Sequence, residues 1–145
     1  MPSISGSFSG KIKKQFGISP KDQANHDLSI AEVNGIQKSP DALWDNSEIT
    51  YWGITDLLDG KGSQTGYFDN IHRDQGRDWG TFEGRVTTTP AGLIVEGKYT
   101  FIGGDSTYEG LTGGGTFKIL AKSETEVEAT WTGSYELAKA QSNKS

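Results

Sequence analysis

The chain has 145 residues, no cysteine, twenty glycines against four prolines, and a formal net charge of −5. That length supports one domain with a substantial core, and the missing cysteines exclude disulfides, thiol nucleophiles and cysteine-ligated zinc or iron–sulfur centres. No basic run exceeds Lys13–Lys14, which argues against nucleic-acid binding because neutralising phosphates needs a clustered basic surface.

Four tryptophans, five tyrosines and six phenylalanines are too many for a disordered chain. The N-terminal MPSISGSFSGKIKK lacks the apolar run of a signal peptide or anchor. No stretch approaches the roughly 20 apolar residues of a membrane helix. A cytoplasmic, membrane-free protein is the simplest expectation, although a mature form whose leader had been removed would read the same.

In chain order, 4–18 place Ile4, Phe8, Ile12 and Phe16 on one parity with Gly6 and Gly10 between them, which predicts a first strand. A polar break, Ser19–Asn25, leads to a second strand, His26–Gln37. Here Leu28, Ile30 and Ile36 share one parity, and Ala31 and Val33 the other. After a connection carrying Pro40 and Trp44, Glu48–Leu58 reads as a third strand, apolar on both faces. The DGKG at 59–62 is a strong turn signal, because glycine admits positive φ at little cost. A fourth strand runs over 64–72, and RDQGRD at 73–78 turns the chain into a fifth that opens at Trp79. Three more follow, LIVEGKYTFI, TGGGTFKILA and EVEATWTGSYEL. In the last, Val127, Ala129, Trp131, Gly133, Tyr135 and Leu137 alternate with polar residues, the period of a half-buried strand.

Eight consecutive strands predict an all-β sandwich or barrel. Mid-strand glycines (Gly53, Gly84, Gly97, Gly115, Gly133) favour a single eight-stranded antiparallel β-barrel, because closure demands sharp coiling and removes exposed edges. One domain over 1–145 is expected, with its core at about 4–138 and a frayed tail at 139–145.

Three pieces in order, GYFDNIHRDQGRDWGTFEGRV, GKYTFIGGDSTYEGLTGGGTFK and TWTGSYEL, resemble allene oxide cyclase-like and dirigent-like β-barrels, and small bacterial members of that superfamily. GGDSTYEGLTGGGTF is similar to the family's segment G-G-T/S-G-x-F/Y-x-G-x-x-G-x-G. Asp105 stands where that pattern has a small residue or a glycine, so this loop is expected to differ. The resemblance covers 64–137. It implies a barrel, often oligomeric, with an apolar cavity for a small organic molecule, and cofactor-free chemistry. No catalytic residue of the plant cyclases matches a position here.

Candidate chemistry gathers at Tyr67–Phe82. If His72 pairs with Trp79, then Asn70, His72, Trp79, Thr81, Glu83 and Arg85 share a face. Turned inward, Glu83 and Arg85 form an acid/base or oxyanion-stabilising pair beside His72; turned outward, they are an exposed ladder pair while Phe82 and Val86 enter the core. A one-residue slip exchanges the two. A histidine is a residue type suited to proton transfer near neutral pH, but among Arg73, Asp74, Arg77 and Asp78 His72 more simply sits on a solvated hairpin tip. Glu32, on the parity of Leu28 and Ile30, is a further candidate if it points inward, where desolvation favours proton transfer. Tyr51, Trp52, Tyr99, Phe101, Phe117, Trp131 and Tyr135 are core or cavity lining, which in a barrel are the same space. Two histidines among scattered carboxylates have no metal-ligand spacing, so no metal and no cofactor are expected.

Three functions remain open at this point. They are a cofactor-free isomerase, cyclase or lyase acting on a small apolar molecule, a non-catalytic carrier or sensor using the same cavity, and a structural homo-oligomer with a filled barrel.

Overall fold

The computed structural model describes residues 2–137; the expected tail at 139–145 lies outside them. Eight strands run in order, β1 (Ser3–Ile18), β2 (His26–Lys38), β3 (Glu48–Leu58), β4 (Lys61–Ile71), β5 (Arg77–Thr89), β6 (Gly92–Gly104), β7 (Thr112–Ala121) and β8 (Glu126–Glu136). Each pairs antiparallel with the next, and β8 returns to β1, so the sheet closes into a barrel. Among the described residues one 3-10 turn, Ser106–Tyr108, interrupts the strands. Asp59 and Gly60 both adopt positive φ, 54° and 78°, and form the two-residue hairpin turn that matches strand twist.

Alternate residues of every strand fill the lumen. Ile4, Phe8, Val33, Ile49, Tyr51, Phe68, Phe82, Tyr99, Phe101 and Trp131 are among the buried ones. The curvature has a visible cause in facing glycines. Gly10 meets Gly35, Gly53 meets Gly66, Gly84 meets Gly97, and Gly115 meets Gly133. Without side chains at these inward pairs, the strands coil tightly and side chains of neighbouring strands take the space, Phe8 over Gly35 and Phe82 over Gly66. A Cβ on Gly6 would lie 2.4 Å from the Trp131 ring, and one on Gly97 only 1.9 Å from the Glu83 carbonyl.

Two expectations about faces are corrected. In β1 the pairing with β2 shifts between Ile12 and Lys14. This bulge puts two residues opposite one and reverses the parity beyond it. Ile12 still faces the lumen, but Phe16 is 64% exposed.

The β4–β5 hairpin turns over residues 72–76, with the His72 N–H donating to the Gly76 carbonyl, not over 73–78. Asn70 therefore faces Asp78, and Phe68 faces Gly80. That shift of three residues is odd, so the face exchanges: Asn70 and His72 point inward with Asp78 and Phe82, whereas Glu83 and Arg85 point outward and are exposed.

Candidate functional site

The lumen holds a cavity of about 70 Å³ lined by Phe8, Tyr51, Phe82, Tyr99, Phe117 and Trp131, among others. Inward parity on six different strands brings these rings together. They pack edge-on, as ring quadrupoles prefer: Tyr51 against Phe82 at 5.6 Å, Phe82 against Phe117 at 5.6 Å, and Tyr99 against Trp131 at 6.2 Å.

At one end the wall becomes polar. The Trp131 indole N–H donates to Gln37 Oε1 at 2.9 Å, the Gln37 amide donates to Asn70 Oδ1 at 3.3 Å, and the Asn70 amide donates to Asp78 Oδ1 at 2.9 Å. Asp78 Oδ2 lies 2.5 Å from His72 Nε2, and His72 Nδ1 lies 2.7 Å from the Leu43 carbonyl oxygen. A carbonyl only accepts, so Nδ1 carries a proton. The proton between Nε2 and Asp78 is shared within a couple whose side chains are both 0% exposed. Whichever atom holds it, the couple is net neutral, which makes its burial tolerable.

The β2–β3 connection seals this end. Trp44, fully buried, lies 4.5 Å from Tyr135, 5.2 Å from the His72 ring and 5.9 Å from Phe101, centroid to centroid. Asp41 holds the connection in place, accepting from the Leu43 N–H at 2.9 Å and from the Tyr135 hydroxyl at 3.0 Å. Tyr108, from the 3-10 turn, stacks on His72 at 3.9 Å. Asp105 starts that turn and accepts from the Arg77 N–H at 2.8 Å, which anchors the glycine-rich crossing to β5.

Burial raises the hydroxyls of Tyr51, Tyr99 and Tyr108 above their ordinary range; the Asp78 carboxylate adds to this at Tyr99, and Asp74 and Asp78 add to it at Tyr108. Tyr135 is pushed up to about 12, first by burial and then by its hydrogen bond to Asp41. These phenols stay protonated at neutral pH and are not bases. Tyr99 donates to the Thr132 carbonyl at 3.1 Å.

Of the residues singled out from the sequence, Tyr51, Tyr99, Phe101, Phe117 and Trp131 line the cavity. Tyr135 is buried at the sealed end beside Trp44. Trp52 is on the outer face, where its indole N–H donates to Glu32 Oε1 at 2.9 Å, so neither Trp52 nor Glu32 reaches the lumen. The even parity of β2 faces outward, because Val33 and Gln37 take the inward positions. Glu83 and Arg85 are likewise outside. His72 is not on a solvated tip but 1% exposed. The sequence reading missed Gln37 and Asp78. Gln37 shares its parity with Val33 and Gly35, and Asp78 shares its parity with Phe82, once the turn is counted as 72–76.

A second histidine cluster stands at the other end of the barrel. His26 Nδ1 lies 2.7 Å from Asp22 Oδ1 and its Nε2 lies 2.7 Å from Asp56 Oδ1, which fastens the β1–β2 connection to β3. The hydrogen bond to Asp22, then that to Asp56, raises the His26 pKa above its usual 6.5. A raised folded-state value contributes stability that is fully present below the unfolded pKa and is lost as pH rises through the folded one. His26→Asn should therefore lower the melting temperature more at pH 5.5 than at pH 8.5; equal losses at both would show that the imidazolium contributes nothing.

Among the described residues no group of three histidine, aspartate or glutamate side chains gathers as a metal site, and no helix is long and apolar enough to cross a membrane. Comparison with models of protein families and with curated proteins gives no match. The described residues form a closed eight-stranded antiparallel β-barrel with an aromatic lumen and a buried polar end.

Proposed function

We propose that the protein is a small-molecule-binding barrel whose guest is compact, uncharged and mostly apolar, with one hydrogen-bond acceptor. One observation carries this reading. An otherwise apolar, aromatic lumen ends at Gln37 and Asn70, each of which donates one amide N–H within the polar chain and so has a second N–H for a guest. An apolar pocket with a few fixed polar anchors is the usual design of a ligand site. The cavity of about 70 Å³ limits the guest. It is well below the ~300–1,000 Å³ of drug-sized pockets, so the guest has a few heavy atoms, or enters as the rings repack. The sequence resemblance to allene oxide cyclase-like barrels points the same way.

A catalytic reading, a cofactor-free isomerase, cyclase or lyase, is favoured by one feature. The buried His72–Asp78 couple stands one hydrogen bond behind Asn70. It lies behind the lumen wall, however, so catalysis in this reading rests mainly on confinement of the guest.

Thermal unfolding with a panel of small ketones, alcohols, amides and single-ring heterocycles tests the proposal. A guest at a hundred times its Kd should stabilise the fold by about 2.7 kcal/mol, and a matched hydrocarbon without an acceptor should do less. Conversion of a binding guest, followed by NMR and lost in His72→Gln, would favour the enzyme. If no compound raises the melting temperature, the barrel is filled by its own side chains.

A further inference from the structure

The barrel is closed along most of its length, but β1 outruns its neighbour. Its pairing with β8 ends at Lys11 opposite Glu126, with a last bond from the Ile12 N–H to the Thr125 carbonyl at 2.9 Å. The chain turns at 122–125, so β8 has nothing to offer beyond that point. Residues 14–18 continue as an arm paired with β2 alone, from Lys14 opposite Glu32 to Ile18 opposite Leu28. Among the described residues, no strand meets the other edge of this arm.

The arm is also apolar. Phe16 is 64% and Ile18 56% exposed, and Phe16 begins a cross-strand row that continues through Ile30 and Ile54, both exposed. Free backbone groups beside exposed apolar side chains are a template for another strand. The bulge at Lys13 and the lysines at 13 and 14 blunt the beginning of the edge, as native edges often are. Past them, Gln15–Pro20 carries no charge.

The residues themselves select the occupant. Lys14 is opposite Glu32 and Lys11 opposite Glu126 across the ladders, so of the lysines at 11, 13 and 14 just Lys13 lacks a facing carboxylate, and an acidic peptide would gain little. A second copy of the arm fits better. Run antiparallel with Phe16 on the two-fold axis, it sets Phe16 against Phe16, Gln15 against Gly17 and Lys14 against Ile18. No like charges face each other, and an aromatic pair sits at the centre, which are favourable cross-strand terms. Directly opposed residues share a face, so the Phe16–Ile30–Ile54 rows of the two copies join into one.

We propose that residues 14–18 of β1 pair antiparallel with the same residues of a second copy, making an isologous dimer through a continuous sheet. The contact is short, so the dimer is of the concentration-dependent kind. Sedimentation of the wild-type chain from about 10 μM to about 1 mM should show a monomer–dimer equilibrium, and Phe16→Lys, which puts two charges on the axis, should weaken it at least about tenfold. The melting temperature at low concentration should stay unchanged, because Phe16 is exposed in the monomer. The native chain has no cysteine, so single substitutions report the register. Phe16→Cys should form a disulfide-linked dimer under mild oxidation at least about ten times faster than Ile102→Cys, at a comparably exposed apolar position of β6, since opposed residues on a two-fold axis lie within bonding reach. A chain monomeric throughout that range, a dimer indifferent to Phe16→Lys, or equal crosslinking at both positions would overturn the proposal.

Discussion

Asp78→Ala should lower the free energy of unfolding by about 3–5 kcal/mol, the usual cost of removing one partner of a buried, hydrogen-bonded acid–base couple. The Asp78 carboxyl accepts from the Asn70 amide at 2.9 Å and is hydrogen-bonded to His72 Nε2 at 2.5 Å, with no solvent at either the Asp78 or the His72 side chain. Its removal leaves His72 Nε2 and the Asn70 amide without that partner, at an end covered by the buried Trp44 and Tyr108. Asp78→Asn, which keeps the shape and one acceptor, should cost less. Urea unfolding of the two variants beside the wild type measures both. A loss below about 1 kcal/mol for Asp78→Ala would mean the couple contributes no more than an exposed pair.

Trp131→Ala should cost a comparable amount, about 3–5 kcal/mol for truncating a buried aromatic residue. Two effects add. The ring fills the lumen above Gly6 and against Tyr99, and its N–H satisfies Gln37 Oε1 at 2.9 Å. Trp131→Phe separates them: it keeps most of the ring but orphans the amide oxygen, a loss of about 1–3 kcal/mol. The alanine variant also enlarges the cavity, so benzene or indole should raise its melting temperature more than that of the wild type. If neither aromatic compound does so, the side chains have collapsed into the vacated space. If the truncation costs under about 1 kcal/mol, the packing of the lumen around Trp131 is not as described.

Both predictions depend on side chains that were unequally visible in the sequence. Trp131 stands in the most regular alternation of the chain, on its apolar face, the face that burial favours. The inward glycines are equally plain, and with the turn signals they mark out eight strands and their closure. Asp78 was hidden. Its pairing with Asn70 depends on whether the hairpin turns at 72–76 or 73–78, and polar residues fill both spans. The bulge at Lys13 was hidden for the same reason, since Ile12 and Phe16 keep an unbroken parity on paper while the chain gains one residue between them.

Alternation of residue types decides that a segment is a strand, because each side chain needs only its neighbours two positions away to define a face. Which face turns inward depends on how many residues the turns and bulges consume, and one residue more or less exchanges the faces of all that follows. Phe16 therefore went outside, and Asn70, His72 and Asp78 went inside. Trp44 and Tyr108 come from connections with no period at all. Only the closed sheet, by fixing where each connection starts and ends, brings them to the same end of the lumen.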